Sequence, residues 1–146
     1  MTGVRINFFS EEVSYTLKHK RLIRTWLSRL FFEEGVQVDT INYIFCSDHY
    51  LYAINVQYLQ HETLTDTITF SYNSDNEDVI GDVYISYDRV KENARELRIA
   101  AIDEVHRLLV HGALHLCGYN DKTDEEKMIM TQKEDHYLLL FSALVQ

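Results

Sequence analysis

The chain has 146 residues, 46% hydrophobic and 12% aromatic, with no proline and five glycines. That apolar content supports one cored domain and excludes a disordered tail or a Pro-rich or Gly-rich spacer. Fourteen Lys and Arg stand against 23 Asp and Glu, a formal charge of −9, which excludes a protein that coats duplex DNA with bulk positive charge.

Val4 to Phe8 alternates apolar and polar residues and reads as a half-buried strand. Ser10, followed by Glu11 and Glu12, has the chemistry of a helix start. The helix expected from it runs to about Glu34, with Val13, Leu17, Leu22, Trp26, Leu27 and Leu30 near a 3.6-residue period, and Gly35 stops it. Val36 to Cys46 carries Ile41, Tyr43 and Phe45 in alternation and reads as a second strand. Ser47 and Asp48 open a helix through about Tyr58. Thr65 to Tyr72 reads as a third strand and Val79 to Ser86 as a fourth, joined as a hairpin by the loop containing Asn73-Ser74-Asp75-Asn76. A long helix is expected from about Asp88 to Cys117, with one break near residue 100. Thr123 and Glu126 have capping-box spacing and mark the start of the last helix. The sum is a single α+β domain over 1–146, a four-stranded mixed sheet packed against helices.

Residues 1–10 lack the charged start and apolar stretch of a secretory signal. The apolar stretch from Tyr137 to Val145 is far short of the ~20 residues that span a bilayer. The expectation is a cytoplasmic protein with no membrane partner. Cys46 and Cys117 stand in no CxxC spacing. One disulfide is arithmetically open; two reduced core thiols is the reading that suits the cytosol.

Chemistry concentrates in residues 111–121, HGALHLCGYND. His111 and His115 are four apart on an expected helix, so both imidazoles share one face, one turn apart, close enough to share a metal. Gly118 stands where a left-handed cap would end the helix. The chain then turns back, and Asp121 can return toward the imidazoles. Two histidines and one carboxylate suit an open site for Zn²⁺ or another divalent ion. The alternative is a pair of ordinary core histidines among Leu108, Leu109, Val110, Leu114 and Leu116, but buried imidazoles need partners. Gly112 is costly in mid-helix, by about 1 kcal/mol against alanine, and makes sense if something approaches the backbone closely beside His111. The H-x₃-H-x₂-G-x₂-D spacing parallels the metzincin zinc pattern, but Gly112 stands where those proteases place their general-base glutamate. A peptidase reading therefore lacks its base.

The same segment resembles the signature of the YbeY endoribonuclease family, H-G-x-L-H-L-x-G-Y-D-H. Ile54-Asn55 and Thr65-Asp66-Thr67-Ile68-Thr69-Phe70 are similar to the family's L-N…T-D-V-L-S-F block, and Gly81-Asp82-Val83-Tyr84-Ile85-Ser86 resembles its G-D-I-x-I-S strand. Asp124-Glu125-Glu126, Met130 and Glu134 match the acidic helix that follows. The resemblance implies a zinc-dependent, single-strand-specific endoribonuclease acting in ribosomal RNA maturation and ribosome quality control. Its partners would be ribosomal RNA and ribosomal particles, not DNA. It also implies a mostly parallel sheet packed on a zincin-like metal helix. Two positions depart from the family pattern. Asp121 replaces the usual third histidine, which admits Mn²⁺ or Mg²⁺ beside one Zn²⁺ per chain. Leu59 stands where the family carries an arginine, and His61 is a substitute candidate.

On that reading His111 and His115 are the catalytic pair, and His111, His115 and Asp121 the metal ligands. Phosphodiester hydrolysis needs positive charge near the phosphate oxygens. Arg95, Arg98 and Arg107 lead toward the metal helix and are the substrate-binding candidates. Lys18, Lys20, Arg21, Arg24 and Arg29 form a second basic group; a solvated helix face is the plain alternative for any one of these residues. Asp82 and Asp66 are candidate acceptors that fix the tautomer of a ligand histidine; a turn aspartate is the alternative. A non-catalytic ribosome assembly factor with a structural metal is the alternative function.

Overall fold

A computed structural model describes residues 3–59, 65–72 and 77–146. In chain order the elements are β1 (Arg5–Glu11), α1 (Lys20–Glu34), β2 (Val38–Cys46), α2 (Asp48–Ile54) continued by a π-helical turn (Asn55–Leu59), β3 (Thr67–Ser71), β4 (Val79–Ser86), α3 (Tyr87–Leu97), α4 (Ala101–Leu116) and α5 (Asp124–Val145). The sheet order is β1-β2-β4-β3. β1 and β4 flank β2 in parallel, and β3 pairs antiparallel with β4 at the edge. This is the expected α+β domain with a four-stranded mixed sheet. Residues 73–76 and His61 lie outside the described residues.

Because strand side chains alternate, one face of the sheet collects Ile6, Ile41, Tyr43, Phe45, Val83 and Ile85. Helices α1, α4 and α5 cover this face with Trp26, Leu27, Leu30, Leu109, Ala113 and Tyr137, all buried. Two buried polar groups lock the layers. Trp26 Nε1 donates to the Tyr137 carbonyl at 2.7 Å, and the Tyr43 hydroxyl donates to the Leu109 carbonyl at 2.9 Å. Burial pushes the Tyr43 hydroxyl pKa up, so it remains a donor. On the other face α2 covers only a small cluster of Cys46, Leu51, Ile54 and Ile68.

The expected helix start at Ser10 is corrected. Ser10 lies inside β1, opposite Phe45, and its hydroxyl donates to the Tyr15 carbonyl. The helix begins ten residues later at Lys20, after His19 in a left-handed conformation with φ 61°. The apolar spacing of Val13 and Leu17 imitates a helical period, but Leu17 is buried from an irregular segment. Extending the ladder with β2 through Glu11 satisfies backbone groups that a serine cap would leave to solvent. The other start signals hold. Ser47 accepts from the Tyr50 amide, and Thr123 with Glu126 forms a reciprocal capping box. The break near residue 100 separates α3 from α4, with Arg98 left-handed at φ 57°. Cys46 is buried and Cys117 half-buried, both as free thiols whose pKa burial pushes up to about 12. Among the described residues no helix is long and apolar enough to cross a membrane.

Candidate metal centre

The site begins with how closely α4 lies on the sheet. A Cβ on Gly112 would meet Val83 Cγ1 at 2.5 Å, and one on Gly81 would meet Leu116 Cδ2 at 2.6 Å. A glycine on the helix faces a valine on β4, and a glycine on β4 faces a leucine on the helix. The close approach that Gly112 implied is therefore β4 itself. The interlock seats α4 so that His111 and His115 lie beside edge strand β3.

The two imidazoles meet through their Nε2 atoms, 3.0 Å apart. Asp121 returns from the turn after α4, its Oδ2 3.2 Å from His111 Nε2 and 3.5 Å from His115 Nε2. One ligand atom from each of the three residues lies within 4.8 Å of the others. The turn that brings Asp121 back passes through Gly118, whose φ of 104° is a conformation L side chains rarely adopt.

The far side of each ring is held. His111 Nδ1 lies 2.7 Å from Glu134 Oε2, and His115 Nδ1 lies 2.8 Å from the Tyr119 carbonyl oxygen. An ionised carboxylate and a carbonyl only accept, so each Nδ1 carries a proton, and in the neutral ring each Nε2 presents a lone pair inward. Two lone pairs and a carboxylate oxygen converging on one point repel one another unless a proton or a metal cation sits between them. Chemically, this donor set fits a divalent metal ion.

Glu134 has an 8% exposed side chain and also takes Arg107 Nη1 at 2.7 Å, while Arg107 Nη2 reaches Asp135 at 2.9 Å. Burial pulls the His111 pKa down, but the hydrogen bond and charge of Glu134, with Asp121 and Asp66 beyond, outweigh it and the pKa rises. Behind Tyr119 stands Glu34. Its carboxylate accepts from the Tyr119 hydroxyl at 2.6 Å, from Lys133 Nζ at 3.2 Å and from the Tyr137 hydroxyl. Burial raises its pKa, but these three hydrogen bonds and the Lys133 charge outweigh that and hold it low.

A cavity of about 590 Å³ opens in front of the ligands. Thr65, Thr67, Thr69 and Ser71 line it from the β3 side, with Asp66 and Asn55. Among the described residues Lys122 is the only Lys or Arg in its lining. Arg95 is paired with Glu92 at 2.8 Å, and Arg98 forms the exposed end of α3. Arg107 faces Glu134 and Asp135. None of these three arginines lines the cavity.

Asp82 is a second correction. It follows Gly81 on β4, so alternation turns it to the opposite face from α4. There it accepts from Asn42 Nδ2 at 3.0 Å and from the Tyr72 hydroxyl at 2.9 Å, and Asn42 in turn accepts from Asn7. The tautomer-fixing acceptors are instead Glu134 and the Tyr119 carbonyl. Asp66 does line the cavity, with Asn93 Nδ2 3.3 Å from its Oδ2. Asn93 also donates to buried Glu104 at 3.0 Å. In the sequence Glu134 belongs to the acidic last helix; its spacing of four from Met130, which is buried, places it on the inward face. Glu34 carried one signal, an acidic residue in the last turn of a helix, the unfavourable end for a carboxylate.

Fold and site together define an α+β domain that presents two imidazoles on a helix packed against its sheet and a carboxylate on the turn after that helix, a group able to hold a metal ion. The family described as Endoribonuclease YbeY matches residues 5–142. A relative from Flavobacterium psychrophilum, named Endoribonuclease YbeY, is 43% identical over 133 residues, covering 91% of this chain and 94% of its own. One of the same name from Cytophaga hutchinsonii is 46% identical over 135 residues, 92% of this chain and 94% of its own. The solution structure of TM1509 from Thermotoga maritima superimposes with a TM-score of 0.59 at 26% identity, covering 90% of this chain and 85% of that one. The chain belongs to the YbeY family.

Proposed function

We propose that this chain is a metal-dependent endoribonuclease, a single hydrolase domain that cuts single-stranded RNA in ribosomal RNA maturation and ribosome quality control. The reading rests on one observation, the convergence of His111 Nε2, His115 Nε2 and Asp121 Oδ2 with each Nδ1 already committed to an acceptor. Relatives named as endoribonucleases supply the substrate class. Ribosomal particles as partners and a cytoplasmic location follow from that role.

One Zn²⁺ per chain suits the two imidazoles, and the Asp121 carboxylate also suits Mn²⁺ or Mg²⁺. A divalent ion supplies Lewis-acid charge to a phosphodiester and lowers the pKa of water. The residues do the rest. His111 and His115 hold fixed lone pairs inward, Asp121 balances charge, and Lys122 meets a phosphate oxygen at the cavity wall. Asp66, an acceptor, orients a hydroxyl or water by taking its hydrogen bond. Arg95 and Arg98 contact RNA beyond the cavity. Arg107 acts at one remove, by holding Glu134.

A single-stranded ribosomal RNA fragment is the test substrate. Wild-type protein cleaves it; His111→Ala loses both metal binding and cleavage while keeping its circular dichroism spectrum. Wild-type cleavage by demonstrably metal-free His111→Ala overturns the reading. One observation favours a second reading, a non-catalytic assembly factor with a structural metal: only Lys122 among described cations lines the cavity. Metal-loaded protein that binds ribosomal particles and leaves RNA intact selects it.

A further inference from the structure

We propose that Glu34 is a positioning residue of the metal centre, acting through Tyr119 on His115. The inference rests on the site taking a divalent ion, as proposed above.

Glu34 closes α1, where the helix dipole disfavours a carboxylate. Its side chain is nonetheless only 8% exposed. Three donors from two other segments meet it: the Tyr119 hydroxyl from the turn after α4, and Lys133 and the Tyr137 hydroxyl from α5. The Lys133 ammonium also stands 5.6 Å from the centre of the Tyr119 ring. Tyr119 is thus gripped at its hydroxyl end and along its ring. Its main-chain carbonyl, at the other end of the same residue, is the acceptor for His115 Nδ1.

A carbonyl on a turn points usefully only if the peptide plane is fixed. The preceding residue, Gly118, adds no side-chain contact to fix it. The Tyr119 amide bonds back to the Leu114 carbonyl at 3.1 Å, which anchors one side of the residue. The hydroxyl clamp anchors the other. Releasing it lets the carbonyl turn away, and His115 then samples the tautomer whose proton occupies Nε2, the atom that must stay free for the ion.

The test uses the full-length protein, zinc as probe, and the variants Tyr119→Phe, Glu34→Gln and both together. Tyr119→Phe removes only the hydroxyl. Each single variant weakens zinc binding by up to about 10-fold, the low end of the range for direct outer partners of a ligand histidine, because the Tyr119 carbonyl itself is kept. The double variant is no weaker than the worse single one, because both cut the same chain of contacts. In metal-free protein, ¹⁵N shifts of His115 report the Nδ1–H tautomer in wild type and a mixture in Tyr119→Phe. Wild-type zinc affinity with an unchanged tautomer in Tyr119→Phe overturns the proposal, even if that variant melts at a lower temperature. If wild-type protein binds none of zinc, manganese and magnesium, the metal reading falls, while the tautomer measurement still decides the clamp. Glu34→Gln removes a buried charge and can unfold; Tyr119→Phe carries the test in that case.

Discussion

The two ligand histidines sit one turn apart on the same helix, yet their supports are of different kinds. His111 leans on a buried, charged side chain, Glu134, itself paired with Arg107. His115 leans on a neutral main-chain carbonyl whose residue is held by Glu34. The first support comes from a helix that folds back across α4. The second comes from the turn that also delivers Asp121. One half of the site is therefore built by helix packing and electrostatics, the other by the conformation of a short turn. Changes can strike the halves separately.

The largest separation is expected from Glu134→Gln. The amide can still accept from His111 Nδ1, but the charge is gone and Arg107 loses a partner. Zinc affinity falls by about 10–100-fold, and more than in Tyr119→Phe, because a charge-assisted hydrogen bond is about twice as strong as a neutral one. Calorimetric titration of the two variants side by side checks the order; equal losses would erase the distinction between the halves.

Gly112→Ala tests the seating that both histidines share. Alanine is the better helix former by about 1 kcal/mol, yet its methyl would meet Val83 at 2.5 Å. Overpacking of this kind costs about 1–3 kcal/mol, so urea denaturation gives a net loss of stability. Val83→Ala in the same chain restores part of it. A stabilised Gly112→Ala would mean that α4 does not lie this close to β4.

The smallest effect concerns pH. Glu34 has its folded-state pKa held below the ordinary 4.5 by its three donors. Its contribution to stability is therefore fully present above the unfolded value and is lost as pH falls through the folded one. Unfolding free energy plotted against pH should drop below about pH 4.5, with a shallower drop in Glu34→Gln. Identical slopes would mean that the clamp carries no net charge stabilisation.

These contrasts also mark what the sequence could disclose. His111, His115 and Asp121 were legible because helical periodicity and a glycine-ended turn are local, and eleven residues suffice to state them. Gly112 announced a close contact, since nothing else justifies a mid-helix glycine. Glu134 was hidden, because only the folding back of α5 brings it to His111, although its spacing from Met130 points it inward. Asp82, a candidate acceptor for a ligand histidine, faces Asn42 and Tyr72 instead. Strand alternation after Gly81 decides its direction, and that rule needs to know which face α4 covers. The start of α1 was misread for a related reason. Leu17 is buried and Val13 half-buried from an irregular segment, and the ladder between β1 and β2 outcompetes the cap offered by Ser10.

Everything chemical in the account depends on an ion at the meeting point of His111, His115 and Asp121. Elemental analysis of purified protein, with stoichiometry, tests that most directly. One divalent ion per chain is expected in wild type and none in His111→Ala. Wild-type protein that cleaves RNA with no divalent metal bound, or a His111→Ala variant that retains a full complement, would contradict it.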